Sequence, residues 1–93
     1  MNEAERVSLN VSAVNSCIHQ AFPTHSVSMR KESSPSDYVF EVSDGKHSYK
    51  LRVAHPRLAD ANFTPDKIRQ LFAAEQVAEN MKACDGLEFS WGR

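Results

Sequence analysis

The side chains best suited to acid–base or nucleophilic chemistry are scattered along this 93-residue chain. Its four histidines stand at positions 19, 25, 47 and 55, and its two cysteines are Cys17 and Cys84. The chain has no His-x-x-x-His pair, nucleophile elbow or glycine-rich phosphate loop, which are the local patterns of metalloproteases, acyl transferases and phosphate sites. No His or Cys spacing indicates a metal site. We therefore predict a protein that is not an enzyme and that has no cofactor or metal.

Two of these residues have competing interpretations. Cys17 could form a Cys–His pair with a nearby histidine, but it lies beside the apolar stripe of the first predicted helix. We interpret both cysteines as packing groups because cysteine is among the most often buried residues. His47 follows the turn of a predicted hairpin. It is either a partly buried histidine held by a neighbour or a proton-active group at the rim of a pocket, and its position does not separate the two.

Three basic residues, Lys46, Lys50 and Arg52, follow one face of the predicted hairpin, and Arg57 in the next loop could extend the patch. Such a row is either a solvated sheet face that discourages edge pairing or a binding surface for an acidic protein or a nucleic-acid backbone. The whole chain has 11 basic and 12 acidic residues, which is far from the basic composition of a DNA-coating protein.

A second candidate surface is aromatic. Phe89 and Trp91 alternate with polar residues near the C-terminus, which predicts a short edge strand. Its rings either complete the core or recruit a partner strand or a second copy, since tryptophan is over-represented in interface hot spots.

These residues have to be positioned by a small number of elements, of which a hairpin over residues 38–53 is the clearest. Asp44-Gly45 separates two alternating segments, and this dipeptide favours a type I′ turn with positive φ at both residues. That turn would pair Val42 with His47 and place the apolar side chains on one face. A one-residue slip would destroy this separation.

Two helices flank the strands. An apolar stripe from Ala4 to Ala21, with Asn2 as N-cap, predicts the first, although residues 7–11 also alternate as a strand would. Thr64 and Pro65 begin a second helix that we expect to end at Gly86, after a loop over residues 54–62. A short strand around Val27 and Met29 precedes the hairpin.

The order is therefore α-β-β-β-α, with a further C-terminal strand as an option. We predict a single α+β domain over residues 1–93: a two-layer sandwich in which two amphipathic helices cover one face of a three-stranded antiparallel sheet, with the C-terminal segment as a fourth edge strand. The composition, 41% hydrophobic and 25% charged, is that of a folded domain.

Over about residues 10–83 this order resembles the double-stranded-RNA-binding domain. That family has a lysine-rich start to its second helix and a histidine in its first strand loop. Here the second helix begins with Thr64-Pro65-Asp66, and the corresponding loop is Ser33-Ser34-Pro35-Ser36. The resemblance is one of topology only, and the alternative of RNA binding depends on the basic hairpin face.

The N-terminus is acidic and polar without an apolar segment, so we expect a cytoplasmic protein with reduced thiols. Our hypothesis is a small non-catalytic interaction or regulatory module that binds an unknown protein partner or its own copy and not a membrane. Its expected binding residues are Lys46, Lys50, Arg52, Arg57, Phe89 and Trp91. The alternative is RNA binding through the basic hairpin face.

Overall fold

The computed structural model describes residues 2–32 and 37–92. Its elements, in chain order, are α1 (Glu3–Ala21), β1 (Ser26–Lys31), β2 (Tyr38–Ser43), β3 (Ser48–Val53), α2 (His55–Ala59), α3 (Pro65–Ala74), α4 (Val77–Ala83) and β4 (Glu88–Trp91). The predicted α+β sandwich is confirmed, with the C-terminal segment as a fourth strand.

The four strands form one mixed sheet in the order β1-β2-β3-β4. The first three are antiparallel, whereas β4 runs parallel to β3, with Leu51 opposite Phe89 and Val53 opposite Trp91. A parallel neighbour needs a crossover connection, which α2, α3 and α4 supply.

Helix α1 begins where the sequence predicts. The Asn2 side chain accepts a hydrogen bond of 2.8 Å from the Glu5 backbone N–H, which satisfies one of the free donors of the first turn. Residues 7–11 are helical. The polar Asn10 on the buried side donates from Nδ2 to the carbonyl oxygens of Leu58 and Phe63, each at 2.9 Å, so it ties α1 to the α2 region.

The prediction of one continuous second helix is wrong. The segment predicted as a loop contains α2, and the helix that begins at Thr64 breaks between α3 and α4 at Gln76, which has left-handed backbone angles of φ 52° and ψ 48°. The break keeps the apolar stripe in the core, since Phe72 before it and Val77 and Met81 after it are all buried.

The hairpin is present, but its predicted turn and register are wrong. Val42 faces Tyr49, and Ser43 faces Ser48, so the loop has four residues instead of two. Within this loop only Gly45 has positive φ, at 90°. The Asp44 carboxylate accepts the backbone N–H groups of Lys46 and His47 at 2.9 and 2.7 Å, which folds the loop as an Asx turn. Because the register differs by two residues, every side chain of the two strands keeps its predicted face, whereas Lys46 and His47 lie in the loop.

The core lies between the sheet and the helices. Phe40, Val42, Leu51 and Val53 of the central strands are fully buried and pack against apolar side chains of all four helices. In the described ranges no helix combines the length and apolar character needed to cross a membrane.

Candidate interaction surface

The face of the sheet away from the helices, here called the outer face, carries the predicted basic row. Lys50 and Arg52 lie on it, but Lys46 is an exposed residue of the hairpin loop. Arg52 is only 21% exposed. Its Nε donates to Oε2 of Glu88 at 3.0 Å, and its Nη1 donates to Oδ2 of the buried Asp37 at 3.4 Å.

The other cations of the outer face are also among carboxylates. Arg30 bonds to Glu41 and, at 3.2 Å, to Glu32. Lys50 lies between Glu41 on β2 and Glu88 on β4 in the strand register. The hydrogen bond that Arg52 donates to Glu88 raises the pKa of Arg52 above its ordinary value. Positive and negative side chains therefore alternate on the outer face, and it attracts a phosphate backbone more weakly than a purely basic surface would.

Arg57 and Trp91, predicted as binding residues, are brought together, but they bind each other. The Arg57 guanidinium carbon lies 4.9 Å from the ring centroid of Phe63 and 5.1 Å from that of Trp91. Glu75 accepts a hydrogen bond of 3.3 Å from Trp91 Nε1 and pairs with Arg57 Nη1 at 3.7 Å. Trp91 is 2% exposed, so its ring belongs to the core.

Phe89 is partly buried and packs against the core opposite Leu51. The aromatic side chains of β4 thus lie on the helix-covered side of the sheet. The large apolar residue that is exposed here is Leu87, which directly precedes β4 and is 70% exposed.

Two histidine–aspartate pairs join three loops at the hairpin end of the molecule. His47 Nδ1 lies 2.8 Å from Oδ2 of Asp85, and His25 Nε2 lies 3.6 Å from Oδ2 of Asp44. The Asp85 hydrogen bond raises the pKa of His47, and the backbone N–H groups of His47 and Lys46 lower the pKa of Asp44. His47 is 54% exposed, so this dyad orients an imidazole at the surface.

Two open clefts were candidates for ligand binding. The first, of about 340 Å³, lies between α1, α3 and α4 with Cys17 and Phe72 in its wall, where burial raises the pKa of the Cys17 thiol. The second, of about 260 Å³, includes His55, whose Nε2 lies 3.9 Å from Oε1 of Glu3. Both volumes are near the lower limit of about 300 Å³ for small-molecule sites. In the described part of the chain no three His, Cys, Asp or Glu residues could hold a metal ion.

The open edge of β1 is a surface that our sequence interpretation did not identify. Glu32 N–H donates to the Asp37 carbonyl at 2.8 Å, in line with the β1–β2 register. Bonded pairs alternate along an antiparallel ladder, so Ser26, Ser28 and Arg30 direct their backbone groups towards β2. The three alternate residues direct theirs to the open edge: Val27, Met29 and Lys31. Among the described residues, no strand pairs with that edge.

The side chains along this edge are uncharged over most of its length. Met29 is 49% exposed although it points to the helix side of the sheet. The α1 surface above it is uncharged as well: residues 7–29 contain no Lys, Arg, Asp or Glu in a chain that is 25% charged. That gap in the charge pattern was visible in the sequence and is the signal that could have identified this surface.

Comparison with known proteins does not assign the chain to a family. No protein-family model matches it, no curated protein is significantly similar to it, and no solved structure matches it.

Proposed function

We propose that this protein is a small non-catalytic interaction module that binds another polypeptide strand along the open edge of β1. The observation that carries the proposal is the row of outward-directed backbone groups of Val27, Met29 and Lys31. Adding a strand to a sheet edge satisfies such groups with main-chain hydrogen bonds, while alternate side chains supply specificity.

The side chains of β1 favour binding over protection. Natural edges are commonly shielded by charges, proline, bulges or a covering loop. The stretch from Ser26 to Met29 has neither charge nor proline, and β1 pairs with β2 without a bulge. Charges appear only at its end, with Arg30 and Lys31. An uncharged edge beside an exposed methionine has the composition of an interface core.

The other surfaces support the same choice. The basic row carries its own carboxylates, the Trp91 ring is buried, and His47 and His55 lie at the surface or in a small cleft. We propose a cytoplasmic location, because both cysteines are free thiols, which is compatible with that compartment.

A random-peptide library displayed on phage provides the test. Selection against the full chain should yield extended peptides that shift the backbone amide resonances of Val27, Met29 and Lys31 and protect these amides from hydrogen exchange. A Met29→Lys variant should bind the same peptides at least about tenfold more weakly, since like or uncompensated charge at a strand pair is unfavourable. Selection of no binders, or of binders that map elsewhere, would refute the proposal.

Titration with duplex RNA at low salt tests the alternative function. Because the outer face has compensating carboxylates, we expect no salt-dependent binding. If the chain instead binds the RNA, and if both the Lys50→Ala substitution and added salt weaken this binding, nucleic-acid recognition would be supported.

A further inference from the structure

We infer that the strand that pairs with β1 is β1 of a second copy of this chain, in an antiparallel two-fold pairing centred on Met29. This inference rests on the proposed function and adds the identity of the partner. It follows from the backbone pattern of the edge, from the side chains that such a pairing would bring together, and from the uncharged surface of α1.

The backbone pattern of β1 is complementary to itself. Val27, Met29 and Lys31 direct their N–H and C=O groups outward. An antiparallel copy centred on Met29 places Met29 opposite Met29 of the second copy and Val27 opposite its Lys31. All three outward residues then form bonded pairs, and the result is a continuous eight-stranded sheet from two four-stranded sheets.

The side chains meet without conflict in this register. Met29, which is half exposed in the single chain, is covered by its own copy on the two-fold axis. Arg30 faces Ser28 of the second copy, and Lys31 faces its Val27, so no like charges are directly opposed. The guanidinium of Arg30 is already held by Glu41 and Glu32 on its own sheet.

Helix α1 extends the same surface. Its residues Cys17 and Gln20 share a cleft with Arg69 and Phe72 of α3, whereas Ala4 shares a cleft with Lys31 of β1. At 100° per residue, the side of α1 that faces away from α3 carries a further group of uncharged side chains: Ser8, Ser12, Asn15 and His19. We call this group the α1 flank.

The two-fold pairing favours a second copy over a charged partner. Two α1 helices would lie side by side over the joined sheet, flank to flank. Because the flank has no Lys, Arg, Asp or Glu, it meets itself without like-charge repulsion, and its serines allow close helix approach. An acidic or basic peptide would find no countercharges on the flank, and a self-complementary surface is what a two-fold dimer requires.

Sedimentation equilibrium on the full chain tests the inference. We expect the wild type to have about twice the 10.4 kDa mass of the chain at high micromolar concentration. Met29→Lys places two ammonium groups on the axis and should raise the dimer dissociation constant at least about tenfold. Leu87→Lys is the matched control, since Leu87 is also a large exposed apolar residue but lies beside β4, and it should leave the constant unchanged.

A second pair of variants checks the geometry. Met29→Cys in a Cys84→Ser background should form an intermolecular disulfide under mild oxidation, because bonded antiparallel pairs have Cα atoms about 5.5 Å apart. Ser26→Cys in the same background should form it much more slowly. Equal rates would refute the register.

The outcomes separate this inference from the proposed function. A wild-type chain that is monomeric at all concentrations, but whose β1 edge still binds the selected peptides, overturns the inference and leaves the proposed function standing. A dimer that Leu87→Lys disrupts and Met29→Lys does not also overturns the inference, because the contact surface would then be the β4 side, and the peptide selection alone then decides the proposed function.

Discussion

Arg57 has its charge at a position that is mostly enclosed by aromatic rings. Its side chain is 16% exposed and is held between Phe63 and Trp91, with Glu75 at its tip. Gly92 packs against it so closely that a Cβ there would lie 2.8 Å from the Arg57 Cβ. Arg57 therefore connects the α2 region to α3 and β4.

Replacing Arg57 should measure this contribution. We expect Arg57→Ala to lower the free energy of unfolding by about 1–2 kcal/mol, since the cation–π contacts and the packing of its aliphatic stem are both lost. Urea denaturation followed by circular dichroism checks it. Lys46→Ala, a change in an exposed loop residue, should be neutral within about 0.5 kcal/mol. Equal effects of the two would contradict the role given to Arg57.

His47 gives the hairpin end a dependence on pH. Asp85 raises its pKa in the folded chain above the ordinary value of about 6.5. The pair therefore stabilises the fold fully below that value and loses its contribution as pH rises through the raised pKa. In an NMR titration, Asp85→Asn should return the pKa of His47 towards 6.5. The stability difference between wild type and Asp85→Asn should shrink from pH 6 to pH 9, and a growing difference would contradict this sign.

At the scale of elements, Gln76 is the one described non-glycine residue with positive φ. The left-handed conformation costs an ordinary residue about 1–2 kcal/mol relative to glycine. Glycine loses more conformational entropy on folding, which offsets part of this gain. We expect Gln76→Gly to stabilise the protein by about 0.5–1 kcal/mol.

A matched substitution within α4 controls for the residue type. Glu79→Gly, at an exposed position inside the helix, should destabilise by about 1 kcal/mol. Thermal and urea unfolding of the two variants would measure the difference. If both substitutions destabilise equally, the break at Gln76 is not strained.

The hairpin indicates what a sequence can predict about an element. The faces followed from alternation, and they survived because the true register differs by an even number of residues. The loop conformation could not be predicted from alternation. The Asp44 carboxylate accepts hydrogen bonds from two backbone N–H groups, and this side-chain bonding competes with the type I′ turn that Asp-Gly favours. The break at Gln76 could not be predicted, because the sequence has no glycine at that position.

At the scale of the whole molecule, the two layers and the order of elements along the chain were predictable, whereas the parallel place of β4 beside β3 and the character of the surfaces were not. The layers follow from amphipathic patterns. Whether Lys50 and Arg52 form a bare basic patch depends on which strands lie beside β3, and the carboxylates that accompany them come from β2, β4 and the segments around β2. The burial of Trp91 likewise depends on Arg57 and Phe72, which are distant in sequence.

A two-fold dimer would couple stability to concentration. Because association stabilises the folded chain by mass action, we expect the thermal midpoint of the wild type to rise with protein concentration. The midpoint of Met29→Lys should be independent of concentration and equal to the dilute wild-type value. Differential scanning calorimetry over a hundredfold concentration range provides the measurement, and a midpoint that does not move for the wild type would contradict the dimer.

The parallel pairing of β3 with β4 has a consequence for the newborn chain. A ribosome that adds about 5–20 residues per second completes β3 a few seconds before β4, because residues 54–87 separate the two strands. During that interval β3 is an unprotected edge among other nascent chains. Lys50 and Arg52 then lie on it without Glu88, and charged side chains on an unpaired strand oppose misassembly until the last strand arrives.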